Sequence, residues 1–348
     1  PVDFKTDTLT VGAELDRKNW NLGARLSASD FETGFNSLTW DNQLYLTDTA
    51  TATATTAYPA RGRLTLWTDS SVKSATVYGG ISLPGHTRIN ATISRAETTQ
   101  DDPFLPKTTN TILAPLAAAL PATSFNGKFQ NSLAELRVTS RPGKSFRWGA
   151  WARQYELKND SPELDFADYV QTDYSIAYCA AASVNACGPT TNAIARRNLA
   201  YGYKKQNFGA SAGFKPVSWL DASLALERES MEREFSAVEK SDEDIAKLVL
   251  DFQVGERVSI RSTFRHQERR ADEYDAIYFE HSFPIGEAYV AAANEGMRKF
   301  YWTDRDRDAA SLLVEVTPHP KFSIYAEATY ADDTYLDPET GKKIGDSF

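Results

Sequence analysis

The sequence has few cysteines, few histidines and no long hydrophobic run. Its 348 residues include 2 cysteines and 4 histidines. Its longest nearly apolar stretch, 112–122, is interrupted by Pro115 and Pro121 and falls well short of the roughly 20 residues that a transmembrane helix needs. The sequence therefore excludes membrane-spanning helices. It leaves open a β-barrel, whose strands need only about 9–11 residues of alternating pattern.

Net positive charge is also lacking. The formal net charge is -9, and Lys and Arg form no cluster that acidic residues leave unmatched. Nucleic-acid binding needs a basic face, so DNA and RNA are not expected partners. Charged residues make up 24% of the chain and aromatic residues 12%, which predicts a folded protein rather than a disordered one.

Motifs of enzymes and metal proteins are absent as well. There is no Gly-rich phosphate loop, CxxCH, HExxH or GxSxG pattern. A hydrolase built on a barrel wall would need Ser and His side by side, and His266 is the one candidate for that role. We predict no catalytic residue, no bound cofactor and no metal ligand in this chain. The four histidines, which share no ligand-like spacing, are His86, His266, His281 and His319.

The dominant signal that is present is alternation of apolar and polar residues with period two, from one end of the chain to the other. Segments of this kind are joined in pairs by tight turns near positions 18, 85, 142, 218, 256 and 319. Longer segments, such as 103–124, 161–196 and 276–297, lie between the pairs. The pattern predicts about twelve strands. Short turns at one rim and long loops at the other are typical of outer-membrane barrels.

One face of the predicted strands is apolar, whereas the other carries charges of both signs. A dry core cannot hold so many ions, because desolvation costs several kcal/mol for each unpaired charge. The sequence thus predicts an all-β, antiparallel, up-and-down transmembrane β-barrel as a single domain over 1–348, with lipid outside and a hydrated or occupied lumen. The charged residues expected to face the lumen are Glu14, Arg25, Arg137, Arg147, Arg153, Glu227, Lys247, Asp251, Arg261, Arg265, Glu315 and Glu327.

The remaining features leave alternatives open. Cys179 and Cys187 lie close together in a segment of small residues, which favours a disulfide in an oxidising compartment over free thiols. The acidic segments 303–308 and 332–337 could supply oxygen ligands to Ca²⁺ but lack EF-hand spacing. The Asp/Arg alternation of the first favours an ion-pair ladder, and the second is interpreted as the entry to a loop.

Aromatic residues near strand ends are candidates for interfacial girdles: Trp20, Trp40, Trp67, Trp151, Trp219, Tyr301, Trp302, Tyr330 and Tyr335.

Several segments, in their order along the chain, resemble the MtrB/PioB family of outer-membrane barrels associated with decahaem cytochromes. They are Ser37–Asn42, Ser94–Arg95 with Gln100–Pro106, Gly127 with Leu136–Pro142, a charged hairpin from Glu227–Glu229 to Arg233–Glu234, Arg298–Phe300 leading into Asp304–Asp308, Pro318, and Asp332–Tyr335.

The resemblance implies a bacterial outer-membrane sheath that encloses a periplasmic decahaem or other multihaem c-type cytochrome. Such a barrel supports extracellular electron transfer, in some cases to an extracellular multihaem cytochrome, while the haem stays with the partner. Family members are longer than this chain, so the chain is expected to be a partial sequence, truncated at one or both ends. Two alternatives remain at this stage: a general or substrate-selective porin with an empty charged lumen, and a secreted soluble β-sheet protein.

Overall fold

The computed structural model describes residues 3–50, 57–117, 119–170, 193–274, 282–284 and 302–336. These residues form mainly strands, with a short 3-10 turn at Ala114–Leu116. In chain order the strands are β1 Phe4–Asp16, β2 Trp20–Thr33, β3 Ser37–Asp41, β4 Thr49–Ala50, β5 Ala57–Tyr58, β6 Arg61–Thr65, β7 Ser70–Leu83, β8 Thr87–Gln100, β9 Gly127–Ser140, β10 Phe146–Asn159, β11 Asp165–Val170, β12 Ala193–Asn198, β13 Tyr203–Val217, β14 Leu220–Arg233, β15 Lys240–Val254, β16 Val258–Ala271, β17 Ser282–Pro284, β18 Asp304–His319 and β19 Phe322–Leu336.

Twelve of these strands form one antiparallel sheet in the order β1-β2-β7-β8-β9-β10-β13-β14-β15-β16-β18-β19. Each strand of the sheet therefore pairs with the sheet strands before and after it in the chain, which is the predicted up-and-down order. The six predicted tight turns are confirmed and lie together at one end of the strands. We call this the turn end and the opposite end the connection end. The prediction of long segments at the connection end is wrong once, because β14 and β15 are joined by 234–239 alone.

Two local interpretations of the sequence were also wrong. The charged segment 227–234 is not itself a hairpin, because β14 runs without interruption to Arg233 and the chain turns only afterwards. The segment 332–336 is not a loop entry, because its residues pair with β18 up to Leu336 opposite Asp304. In both places charged residues occupy strand positions in which the polar side chains alternate between the two faces of the sheet.

Large apolar side chains of the sheet are exposed rather than buried. Leu9, Leu26 and Ile93 expose 68%, 62% and 66% of their surface, and all three lie on the same face. Among the described residues only Leu113, Ala200, Ala237 and Val238 are buried hydrophobic residues. A soluble sheet protein needs a core and avoids so large an exposed apolar surface. The apolar face is therefore suited to contact lipid.

The apolar band crosses the sheet obliquely to the hydrogen-bonded rows. One row begins with Leu15 opposite Leu22 in the first hairpin and continues, strand by strand, to Asp244, Glu268 and Asp306. Since one row is apolar at one edge and charged at the other, the strands tilt relative to the band. Tilted strands are required for a sheet that curves into a barrel.

The band has the height of a membrane. In β15 its apolar positions run from Ala246 to Val254, about 27 Å along the strand. A tilted strand of this length spans the roughly 25 Å apolar belt of an outer-membrane barrel. Beyond Ala246 the same face carries Asp244 and Asp242, so β15 extends past the band at the connection end.

Connections at that end pack against one another. Asn110 and Leu113 are almost fully buried, and the Asn110 amide donates to the backbone oxygen of Thr49 at 3.3 Å. Phe104 lies edge-on to Phe166, which belongs to the next connection, with ring centroids 5.9 Å apart. The connections thus form a small folded layer over one rim. Within the part of the chain that the structure describes, no helix is long and apolar enough to cross a membrane.

The two edge strands are paired on one side only. Every residue of β1 is exposed, as are most residues of β19, and no ladder joins the two among the described strands. An unpaired backbone N–H or C=O costs several kcal/mol in hydrocarbon. Both edges therefore need strand partners within a bilayer.

A pair of adjacent substitutions in β18 tests the assignment of the faces. We expect Leu312→Arg to lower the free energy of unfolding in lipid vesicles by about 2–4 kcal/mol, because Leu312 lies on the apolar face within the band. The neighbouring Ser311→Arg, on the polar face, should change it by less than about 1 kcal/mol. Urea titration of the protein in vesicles measures both. Equal losses for the two variants would show that the faces are assigned wrongly.

Candidate functional site on the polar face of the sheet

The twelve charged residues that the sequence singled out share one face of the sheet. Residues directly opposite each other in an antiparallel ladder point to the same side, so the face can be followed across the ladders. Arg25 lies opposite Gly12, Arg153 opposite Glu135, and Arg265 opposite Lys247. Seven of the twelve residues are basic and five acidic, although acidic residues outnumber basic ones in the whole chain, 47 to 38. This polar face is thus more basic than the chain.

Several of these residues are held by partners that sequence reasoning did not single out. Arg147 contacts Asp221 at 2.6 Å, and Arg137 lies 3.9 Å from Glu135. Asn207 donates to Glu227 at 2.9 Å. Glu135 lies two positions from Arg137 on the same strand, whereas Asp221 lies two strands away from Arg147, across β13, and 74 residues away in the sequence. Only the register between strands could identify Asp221.

Pairs within the predicted set also occur. Arg261 contacts Asp251 at 2.6 Å, directly across the hairpin of β15 and β16. This pair was accessible from the sequence, because a tight turn determines which residues of a hairpin face each other.

A second group on the polar face, which we call the rim cluster, lies toward the connection end. Its members are Glu243, Arg269, Arg305, Arg307 and Asp333. Glu243 and Arg269 were not singled out by the sequence, whereas the other three belong to the segments 303–308 and 332–337 considered above. Arg305 contacts Glu243 at 2.6 Å, with each side chain only 14% exposed, and lies 3.8 Å from Asp333. Arg307 lies 3.7 Å from the same carboxylate, and Arg269 donates to the backbone oxygen of Thr303 at 2.9 Å. The rim cluster is the least exposed ion-pair network on the described part of this face.

The Asp/Arg alternation of 304–308 does not form one ladder. Arg305 and Arg307 lie on the polar face in the rim cluster, whereas Asp306 and Asp308 lie on the opposite face, beyond the apolar band. There Asp306 contacts Arg270 at 2.6 Å, and Asp308 contacts His266 at 2.7 Å. The period of two divides the segment between two separate networks.

His266, the candidate for a hydrolytic role, has two acidic neighbours. Its Nδ1 lies 2.7 Å from Asp308 and its Nε2 lies 3.2 Å from Glu268. Both ring nitrogens are thus occupied by carboxylates, and no described serine hydroxyl bonds to either. This arrangement does not present a nucleophile with its base.

Other predicted site residues are placed as follows. Within the described residues there is no group of three His, Cys, Asp or Glu side chains that could hold a metal ion. Cys179, Cys187, His281 and Tyr301 lie outside the described residues. Trp151 is not part of an interfacial girdle, because it lies on the polar face opposite Arg137, whose guanidinium is 5.9 Å from the ring centroid.

Asp48 holds together the packed connections at the connection end. Its carboxylate accepts from the backbone N–H of Thr111 at 2.8 Å and of Ala60 at 2.7 Å, and from the Thr111 hydroxyl at 2.7 Å. These hydrogen bonds, with that from the Thr111 amide the largest cause, hold the pKa of the Asp48 carboxyl below its ordinary value of 3.8. Asp48 thereby ties connection 34–69 to connection 101–126.

The rim cluster yields a stability prediction. We expect Glu243→Gln to lower the free energy of unfolding in lipid vesicles by on the order of 3 kcal/mol, because it leaves Arg305 poorly compensated in a nearly buried place. The matched control is Asp7→Asn, which breaks an ion pair with Lys5 of the same 2.6 Å length but with both side chains mostly exposed. The control should leave stability unchanged. A similar response of the two variants would contradict the structural role of the rim cluster.

Asp48 yields a prediction about pH. A depressed carboxyl pKa contributes stability above the ordinary value of 3.8, and this contribution is lost as pH falls through the lower pKa of the folded state. In Asp48→Ala we expect faster amide hydrogen exchange at Ala60 and Thr111 than in the parent at pH 7, and no difference below the folded-state pKa. Asp41→Ala, in the same connection but highly exposed, is the control. A difference that persists unchanged at the lowest pH would exclude the carboxylate as its cause.

Several solved structures are similar to this chain at low sequence identity. The ferric-catecholate import receptor Fiu of E. coli K12, in its closed form, has a TM-score of 0.52 at 11% identity, over 96% of this chain and 48% of the receptor. The siderophore receptor PiuA of Acinetobacter baumannii has a TM-score of 0.49 at 9% identity, over 98% of this chain and 49% of the receptor. A loop L8 deletion mutant of OmpT, an outer membrane protein of Vibrio cholerae, has a TM-score of 0.40 at 11% identity, over 96% and 94%. The likeness to Fiu shows the barrel fold alone, and this chain spans about half of that receptor's length.

No curated protein matches the chain. The family model described as "Putative outer membrane beta-barrel porin, MtrB/PioB" matches residues 1–347. This match agrees with the twelve-stranded sheet and its exposed apolar band, and it places the protein in the outer membrane. The chain belongs to the MtrB/PioB family of outer-membrane β-barrels.

Proposed function

We propose that this barrel sheathes a multihaem c-type cytochrome and thereby supports electron transfer across the outer membrane. The observation that carries the proposal is the polar face, which presents charges of both signs on the strands from β10 to β18 of a membrane-spanning sheet. Turned toward the lumen, such a face can hold a folded polar protein by complementary contacts. The family resemblance adds a periplasmic decahaem or other multihaem cytochrome as the occupant and an extracellular multihaem cytochrome as a further partner.

In this proposal the barrel performs no catalysis. The haem groups and their ligands belong to the cytochrome, and the wall insulates them from lipid while holding the cytochrome in place. Ion pairs stiffen the wall on the lumen side: Arg261–Asp251 links the neighbouring strands β15 and β16, and Arg147–Asp221 reaches from β10 across β13 to β14. Charges on the wall that lack a partner remain for contact with the cytochrome.

A second function is a porin with an empty charged lumen. It is favoured by the description of the family as a porin and by the exposure of much of the polar face. A water-filled lumen lined by charged side chains selects ions by their sign. The two functions differ in what fills the barrel.

The test is to express the barrel with the periplasmic cytochromes of its host, extract the outer membrane in detergent, purify the complex through the barrel, and record its visible spectrum. We expect a c-type haem spectrum with several haems per barrel. The control is the same membrane extract purified without a tag on the barrel. A colourless barrel that conducts ions in a planar bilayer would reject the sheath in favour of the porin.

A further inference from the structure

Two cations lie directly opposite each other on the polar face, midway along β15 and β16. Lys247 of β15 pairs in register with Arg265 of β16, and both side chains are exposed. Neither makes a hydrogen bond or an ion pair with any residue that the structure describes. Like charges in directly opposite positions destabilise a sheet unless an anion compensates them. We call these two residues the cation pair.

Among the residues that the structure describes, no acid serves as that anion. The nearest carboxylate by register is Glu227, diagonal to Lys247, and it accepts from Asn207 at 2.9 Å instead. On the other side Arg265 lies opposite Ala309, and its diagonal neighbour Arg307 is itself a cation. The cation pair thus differs from Arg147 and Arg261, each of which contacts an aspartate at 2.6 Å.

Small side chains leave room beside the cation pair. A recess of about 520 Å³ extends from Lys247 across the neighbouring strands to Arg147. Residues of the polar face that line it include Gly149, Ser211, Gly213, Ser223 and Ala225. Their short side chains allow another molecule to approach the sheet closely. The recess therefore offers both space and positive charge.

The cation pair lies at membrane depth. Leu248 and Phe264 occupy the adjacent positions on the apolar face, opposite each other in the same hairpin, and both are exposed there. The cation pair is thus behind the lipid-facing band, on the lumen side. Charged residues at membrane depth are costly and mark functional contacts more often than stabilising ones.

We propose that Lys247 and Arg265 together bind a carboxylate of an acidic surface segment on the protein that fills the barrel. The inference rests on the proposed function and adds a specific contact to it. A carboxylate accepts bidentate hydrogen bonds from the guanidinium of Arg265 and a further one from the ammonium of Lys247, which neutralises the repulsion between them. The partner segment is accommodated in the recess, and the contact determines the rotation and depth of the partner in the lumen.

The experiment uses the barrel–cytochrome complex held on a resin through a tag on the barrel and eluted with rising NaCl. We expect Lys247→Gln/Arg265→Gln to release the haem protein at lower salt, with about tenfold weaker binding at 0.1 M, and Lys247→Glu/Arg265→Glu to weaken binding further. The control Lys215→Gln/Lys321→Gln also removes two positive charges, but at the turn end, and should elute like the parent. Equal heat-modifiability of all variants on gels confirms that each barrel is folded.

The outcomes separate this inference from the proposed function. A parent that retains haem protein while Lys247→Gln/Arg265→Gln elutes at the same salt overturns the cation pair as a contact and leaves the sheath intact. A parent that retains no haem protein rejects the sheath and, with it, the protein carboxylate. In that case, a loss of anion selectivity in planar bilayers on Lys247→Gln/Arg265→Gln would assign the cation pair to a small anionic solute instead.

Discussion

The whole structure depends on one constraint: unpaired backbone N–H and C=O groups and uncompensated charges are energetically costly in the hydrocarbon of a bilayer. Paired strands satisfy their backbone groups within the sheet, and alternation of side chains lets one sheet present an apolar face to lipid and a charged face to water or protein. This sheet has both an apolar and a charged face: Leu26 is exposed on one side, while its neighbour Arg25 lies on the other. This explains why a chain with 24% charged residues and almost no buried core can be a membrane protein.

The charges on the polar face form three kinds of environment. In the rim cluster, Arg305 and Glu243 are nearly buried and form part of the wall. Around Arg147 and Arg261, partly exposed ion pairs link strands of the sheet and contribute little individually. The cation pair has no partner within the described chain. The more exposed a charge is on this face, the fewer partners it has within the chain. Buried and paired charges stabilise the wall, whereas exposed and unpaired charges are available to another molecule.

The tilt of the strands determines which charged residues lie beside the apolar band and which lie beyond it. Because the apolar band crosses the hydrogen-bonded rows, the same row contains Leu15 at one edge of the sheet and Asp306 at the other. Charged networks on the lipid side, such as His266 with Asp308, consequently lie beyond the band and not within it. The packed connections add a folded layer at this end, where Asp48 ties two of them together through backbone N–H groups. The turn end has only short hairpins, so the two rims differ in structure.

The sequence by itself determined the strands, the tight turns and the division of residues between two faces, because these follow from local alternation and from turn residues such as Pro84-Gly85. It was misleading where charged residues extend a strand, as at Arg233 and Asp333, because polarity alone does not distinguish a loop from a strand that projects beyond the lipid. Which charges neutralise one another was decided only by the tertiary structure. Arg147 and Asp221 are 74 residues apart, and Arg305 and Glu243 are 62 apart, so only the register of the assembled sheet brings them together. The same register leaves Lys247 and Arg265 facing each other, because strand pairing is set by the turn and the apolar face, whatever charges then meet on the polar face.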